Sequence, residues 1–536
     1  MNKSQFQQLK QYVGPDLLNY ILHYDQITGK SDYEQLELLS DQIQILDDLH
    51  DKIQQCRIQF IVQGGYGDGV DFYLRQITSD GTSLFNQYRH ICGGQIALPS
   101  STDSLISFLQ QICIREYPNL LMKSSGASYH APLMGMNLGM TNYDEFIRLV
   151  KDDVLDQITN KKDGLEYAFQ FTTSDGLEFY SQVCSACSTI ISRSFYDSCN
   201  RMDYSLSSVL RAIEENIDVM RRLANGQQAT YSSFIGIRGL QFRGFEEIEF
   251  SGGALRQFRD AANPGMHTGR TVVSHSNSEG GEYSGHVFEV FHSTKISSTT
   301  GNTNTGNSTE TNQVQEIELQ KLRFAVVFSL LANRGPVPTF YEVGFPLINP
   351  GNFSHSDGSP GDYILIDEAT KVKLVDWYGV LSNKDLKRVR TPLKRLQYAI
   401  FERRNPEDAI VDAIIAWEGM FSEAFETTFK VTASMAKFLR SGSEREKLFV
   451  RLKKLYQLRS DLVHGGTSKL LQTENIQDVR AEVINIGLEC VMKIINNDRL
   501  LSMGSGERIK AILVCDDPDD VSTEQDAELG ALAGAS

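Results

Sequence analysis

Apolar positions in the last third of the chain repeat at helical intervals, and one of those repeats is interrupted by a charge. Across residues 446–466, Leu448, Leu452, Leu455 and Leu462 step by four, three and seven. That is the stripe of a helix buried along one face. Arg459 takes the slot between Leu455 and Leu462 where the stripe calls for another leucine, and Gly465-Gly466 supplies a helix stop. Upstream, Asn405-Pro406-Glu407-Asp408 predicts a helix start: an N-cap, a proline in the first turn, then two acids at the positive end of the dipole. Ile410, Ile414, Trp417, Phe421 and Ala424 form the buried face behind it, and Val483, Ile486, Val491 and Ile494 mark a further helix. Residues 383–500 therefore read as an all-α block, with an acidic, disordered tail over 501–536.

The front of the chain follows other patterns. Leu36, Leu39, Ile43, Leu46 and Ile53 predict helix within residues 1–55, and 56–62 reads as a strand leading into a glycine turn at Gly64, Gly65, Gly67 and Gly69. Thr78-Ser79-Asp80-Gly81 and Thr173-Ser174-Asp175-Gly176 are hairpin turns in the same words, offset by 95 residues, a spacing shared by Cys92 and Cys187. Chance use of a common turn explains the repeat better than duplication. Residues 1–225 thus form an α+β region. From 226 to 382 the pattern becomes β-rich, with strands expected at 233–237, 247–250, 286–292, 339–343 and 363–366. Inside it, 297–313 opens with thirteen residues lacking any apolar side chain and reads as a flexible loop. The expected fold class is multidomain α+β, ending in a helical bundle.

Composition narrows the partners. At 536 residues the chain exceeds one core, and 41% hydrophobic with 22% charged residues is the balance of a globular protein. Neither the polar start nor the longest apolar run, 324–332, reads as a signal peptide or a membrane span, so a cytoplasmic protein is expected. Cys184 and Cys187 form a C-x-x-C with Cys199 nearby, but no second ligand pair follows; reduced thiols, no metal and no cofactor are expected. The net charge of −16 argues against a surface that coats nucleic acid throughout. Residues 384–464 nevertheless hold 17 basic and 11 acidic residues, a net of +6. Eight of those bases fall within 384–404, Lys394 and Arg395 among them; with Lys453 and Lys454 they offer a phosphate track toward Arg459.

A guanidinium on a burying face is costly unless an anion meets it. His464, five residues on, is the side chain best suited to move protons near neutral pH. On an ideal helix the two are about 7.5 Å apart along the axis and roughly 140° apart around it. A second copy of the helix, packed along the leucine stripe, would bring two Arg-His sets to one cleft. Other motifs fail: Thr28-Gly29-Lys30-Ser31 has Tyr24 where a P-loop needs glycine, and neither H-E-x-x-H nor G-x-S-x-G occurs.

The run 455–465, preceded by Trp417-Glu418, resembles the core of an Apea-like HEPN domain, whose hallmark is arginine followed after four to six residues by histidine. The resemblance covers about a fifth of the chain. It implies an all-α HEPN-like bundle and a metal-independent endoribonuclease acting as a homodimer on RNA, tRNA included, in bacterial anti-phage defence by abortive infection. Arg459 and His464 would be catalytic, supported by Asp461, Glu418 or Ser460. The region ahead of them would serve as sensor and restraint, released by a phage-derived trigger. Ser460 stands where many relatives carry Asn, Asp or His, and Gly466 stands where nucleotidylated members carry tyrosine. The alternative is a non-catalytic HEPN-like block that dimerises or binds RNA behind ligand-recognition domains.

Overall fold

The computed structural model describes residues 2–24, 27, 34, 36–62, 83–121, 139–163, 166–174, 178–201, 203, 205–238, 240–257, 286–299, 309–330, 337–342, 347, 364–423, 427–465 and 468–514. They divide between two compact units. The first gathers 1–240, 246–317 and 338–359, and the second 241–245, 318–337 and 360–536. Helices and small sheets are mixed, and the C-terminal region is helical. No helix among the described residues is long and apolar enough to cross a membrane.

In the first unit, α1 (Lys3–Val13) opens on a capping box in which the Asn2 and Gln5 side chains each satisfy the other's backbone amide. Next come α2 (Pro15–Leu22) and α3 (Ser40–Val62). Leu36, Leu46 and Ile53 are buried as their spacing predicts, but Leu39 is 68% exposed. It precedes the first helical residue, and its amide donates to the Gln42 side chain at 2.7 Å. Residues 56–62, expected as a strand, continue α3. A short apolar run fits either period, and extending a helix gains a hydrogen bond per residue whereas a strand needs a partner. The glycine turn and the first hairpin lie outside the described residues.

After α4 (Leu84–Ile91), α5 (Ser104–Leu121) and α6 (Gly139–Lys151), the second hairpin forms as expected. Strand β1 (Ala168–Thr173) pairs antiparallel with β2 (Glu178–Gln182), in a register running from Ala168 opposite Gln182 to Thr172 opposite Glu178. Helices α7 (Val183–Asn200) and α8 (Leu206–Ala224) follow, with Cys187 and Cys199 of α7 buried.

Three of the expected strands of the β-rich region lie in β3 (Ala229–Arg238), β5 (Glu247–Phe250) and β7 (His286–Thr294); β4 (Leu240–Phe242) and β6 (Gly253–Gln257) join them in chain order. Strand β8 (Ile296–Ser298) precedes helix α9 (Thr309–Leu330), and the remaining expected strands, 339–343 and 363–366, fall on β9 (Val337–Glu342) and β10 (Ile364–Ile366). The sheets run β5-β6-β7-β3-β9, β2-β1-β8 and β10-β4. Two expectations are corrected here. The polar stretch 297–313 begins within β8 and ends inside α9, and the region holds a long helix besides its strands. Thr and Asn open α9 and mask it, because Val314 is the sole apolar side chain in its sequence before Ile317.

The second unit is a helical assembly: α10 (Glu368–Asn383), α11 (Arg390–Gln397), a π turn at Tyr398–Glu402, α12 (Pro406–Phe421), α13 (Thr427–Leu439), α14 (Gly442–Val463) and α15 (Ile476–Ile495). Asn405 caps α12 as expected, and Ile410, Ile414, Trp417 and Phe421 are fully buried; Ala424 lies outside the described residues. Gly487 lets α15 close on α12, since a Cβ there would sit 3.1 Å from Trp417 Nε1. The chain does not loosen at Leu501: α16 (Asp498–Ser502) and α17 (Ser505–Leu513) continue the bundle. Arg508 of α17 is fully buried, and its Nε donates to the Leu500 carbonyl at 2.7 Å. Residues 515–536 lie outside the described residues.

Candidate active site at the end of α14

Helix α14 carries the motif. Leu452 and Leu455 are fully buried against their own chain, joined by Tyr456 and Leu458, while Leu448 and Leu462 are half-buried. The leucine stripe is thus consumed within the subunit, because α13 and α12 pack against α14. The face expected to meet a second copy is occupied. Arg459 falls at the margin of this buried face with 30% of its side chain exposed, and His464 stands exposed as the helix C-cap. The His464 amide donates to the Ser460 carbonyl at 3.1 Å, and Gly465 follows at φ +68°, the left-handed turn expected of a glycine stop. Gly466 lies outside the described residues.

The partner of Arg459 comes from α12. Trp417 turns into the core, and its neighbour Glu418 reaches toward α14. One Glu418 oxygen lies 3.8 Å from Arg459 Nη2, beyond hydrogen-bond length. The other accepts a hydrogen bond from the Tyr456 hydroxyl. Burial, reinforced by that carboxylate, pushes the Tyr456 pKa far up, so the phenol keeps its proton and remains a donor. Arg459 Nε is buried with no hydrogen-bond partner among the described residues. A guanidinium that leaves donors unused beside a carboxylate already engaged by tyrosine has capacity for a further anion.

The remaining predicted residues do not all converge. No hydrogen bond or ion pair joins Arg459 to His464 among the described residues, as their separation on the helix requires. Asp461 accepts from Gln457 Nε2 at 2.9 Å, which turns it to its own helix surface. Ser460 is half-buried and contributes its carbonyl to the helix end. Lys453 and Lys454 are exposed, and the Lys453 ammonium lies 5.6 Å from the Phe449 ring centroid. Lys394 is exposed over Tyr398.

Arg395 is spoken for: its Nη1 and Arg403 Nε hold the two oxygens of buried Asp412 at 2.7 and 2.6 Å. Lys384 is likewise tied to Asp498 and to the Ile495 carbonyl. Three of the eight bases in the run 384–404, Lys384, Arg395 and Arg403, are therefore engaged in holding the bundle together.

Two features escaped the sequence reading. Tyr456 is the donor that fixes Glu418, and its position three residues before Arg459, on the same helix face, was the available signal. Arg451 bridges Glu474 and Glu482 through five hydrogen bonds of 2.5–3.1 Å, tying α14 to α15. Nothing in the local pattern of α14 marked it, since both acids lie more than twenty residues away.

No family model, curated protein or solved structure matches this chain.

Proposed function

We propose that the C-terminal helical unit is a HEPN-type, metal-independent endoribonuclease, with Arg459 and His464 as its catalytic pair. The observation that carries the reading is the state of Arg459. It sits at a solvent-reaching margin, 3.8 Å from a carboxylate, with a buried Nε that no described residue satisfies. A phosphate oxygen would complete that guanidinium. His464, exposed one turn further on, is free to reach the sugar.

In the proposed reaction the ribose 2′-oxygen attacks the adjacent phosphorus and the bond to the 5′-oxygen breaks. The products are a 2′,3′-cyclic phosphate and a 5′-hydroxyl. His464 takes the 2′-hydroxyl proton or supplies one to the departing 5′-oxygen, a role worth roughly 10²–10⁴ in rate. Arg459 neutralises the charge that grows on the phosphoryl oxygens. The need for a 2′-hydroxyl selects RNA over DNA. Because Arg459 and His464 diverge around the helix, a second copy would supply the complementary proton carrier. With Leu452 and Leu455 already buried, it would approach the C-terminal end of α14, where Val463 is 51% exposed. Restraint by the upstream region, cytoplasmic location and a role in anti-phage defence belong to the same proposal.

The proximity of Glu418 favours a second reading, in which Arg459 is a structural bridge and the unit binds RNA or dimerises without cutting. One assay separates them. The purified chain is incubated with end-labelled tRNA and a mixed RNA pool in EDTA, beside Arg459→Ala and His464→Ala. Cleavage that survives EDTA, leaves cyclic phosphate ends and falls at least about 100-fold in both variants supports the nuclease. Wild-type cleavage by His464→Ala overturns the assignment, and binding without cleavage supports the second reading.

A further inference from the structure

The flank of α14 that leads to Arg459 carries exposed aromatic surface that the catalytic pair does not use. Phe429, in the first turn of α13, is 57% exposed. Its ring meets that of half-buried Phe449 edge-on, with centroids 6.0 Å apart. Lys453, one turn along α14 from Phe449, places its ammonium over the same ring. Phe449, Lys453, Tyr456 and Ser460 follow the helical repeat along one flank of α14, and Arg459 lies about 15 Å beyond Phe449 along the axis. Tyr456, two turns along α14 from Phe449, is the group that fixes Glu418, so the aromatic pair leads along the helix to it.

An exposed ring backed edge-on by a second ring, with a cation beside it, presents the features that bind an unpaired nucleobase. The π-face accepts a base in stacked contact, and the cation meets the phosphate that follows. Charge favours this occupant. Residues 446–459 hold five basic side chains and one acid, and Lys453 has no carboxylate partner among the described residues. A second protein copy fits less well: Phe429 is flanked by Thr428 and Lys430, and the Lys430 ammonium is 2.7 Å from Glu423. With Phe449 half-buried and Val450 49% exposed, this leaves a small apolar patch in a charged surround, far from the roughly 800 Å² per partner of a stable interface.

We infer that Phe429, supported by Phe449 and Lys453, is a base-stacking subsite for single-stranded RNA, holding an unpaired base a few nucleotides from the phosphate at Arg459. The inference rests on the ribonuclease reading for its direction, but its test does not require cleavage. Affinity of the full-length chain is measured by fluorescence anisotropy with a fluorescein-labelled single-stranded 12-mer of 2′-deoxy-substituted RNA, which 2′-attack cannot cut, and with a duplex of the same sequence.

The single strand should bind better than the duplex. Phe429→Ala should weaken it roughly tenfold, within the range for one base–aromatic stack, while Phe429→Trp retains it. Lys453→Gln should flatten the salt dependence by about 0.7 in log–log slope, one phosphate on a single strand. Wild-type affinity in Phe429→Ala, equal binding of duplex, or no binding by the wild-type chain overturns the subsite. A change of sedimentation coefficient in Phe429→Ala without loss of RNA affinity assigns the ring to a protein contact and overturns it too. Phe429-dependent binding with no cleavage of ribose-containing RNA would keep the subsite and reject the nuclease.

Discussion

Single side chains decide what this bundle can do where an apolar pattern is broken. Arg459 displaces a leucine from the stripe of α14, and the structure absorbs the charge by moving it to the margin and lending it Glu418 at 3.8 Å. Tyr456 then fixes Glu418. Removing that hydroxyl tests how much the arrangement depends on it. Tyr456→Phe leaves a largely buried carboxylate one donor short, at a cost of about 1–2 kcal/mol. Urea unfolding should show an earlier midpoint with an unchanged slope. An unchanged midpoint would mean that water replaces the phenol and that Glu418 is not held by it. Arg508 resolves the same problem differently. Fully buried, it donates to the Leu500 carbonyl, with the Met420 and Arg388 carbonyls each 3.4 Å from its outer nitrogens. Desolvation, with the Arg388 charge adding to it, lowers its pKa to about 10, so it keeps its charge at neutral pH.

At the scale of elements, β7 is buried along most of its length and carries ionisable groups into the core. Glu289 is held by Arg201 and Arg256 at 3.1 and 2.6 Å, with the Ser232 hydroxyl at 2.6 Å. His286, paired in register with Ile237 on β3 and Gln257 on β6, is fully buried, and desolvation pushes its pKa down to about 3. The unfolded chain binds that proton near 6.5, so the native state forgoes it. The associated stability is complete above pH 6.5 and is lost as pH falls from there toward 3. Between pH 7 and 5 the loss is about 2 kcal/mol. The first unit's unfolding midpoint in urea should drop more over this interval in the natural chain than in His286→Gln; equal drops would show that His286 already carries its proton when folded.

The same scale shows what the chain disclosed in advance. The cap at Asn405, the glycine stop at 465, the buried face of α12 and the antiparallel pairing of β1 with β2 were legible, because each is set by neighbours close in the chain. The continuation of α3, the burial of the leucine stripe within one subunit, the Arg395–Asp412 and Arg451–Glu474–Glu482 ties and the helix α9 were not. All but α3 and α9 depend on partners brought together by tertiary packing, and for those two the local period was ambiguous or hidden by polar residues.

For the molecule as a whole, the helical unit does not begin where its pattern does. Sequence periodicity starts the block at 383, yet the compact unit also gathers 241–245 and 318–337 from upstream. Within it, the part of α9 from Glu318 on is largely buried: Leu319, Leu322, Phe324, Ala325, Val326 and Val327 are all 1% exposed or less. Phe324 meets Phe401 edge-on at 6.3 Å, the Arg323 guanidinium lies 5.1 Å from the same ring, and Gln320 Nε2 donates to Gln397 Oε1 at 2.8 Å. Glu318 accepts from the Tyr378 hydroxyl of α10 at 2.5 Å. A chain cut at 383 loses α9 and α10 together and leaves their apolar counterpart on α11 and the π turn facing water. Burying one large apolar side chain contributes about 1.5–3 kcal/mol, and several are lost here, a sum comparable with the whole stability of a domain. Residues 383–536 expressed alone should therefore aggregate, or melt without a cooperative transition by circular dichroism. A chain starting at 318 should give a soluble, cooperatively folded unit. The distinction bears directly on any test of restraint by the upstream region, because a silent 383–536 fragment would report lost folding, whereas an active 318–536 fragment would report lost inhibition. Should the shorter chain melt as sharply and at the same temperature as the longer one, α9 is dispensable and the boundary read from the sequence stands.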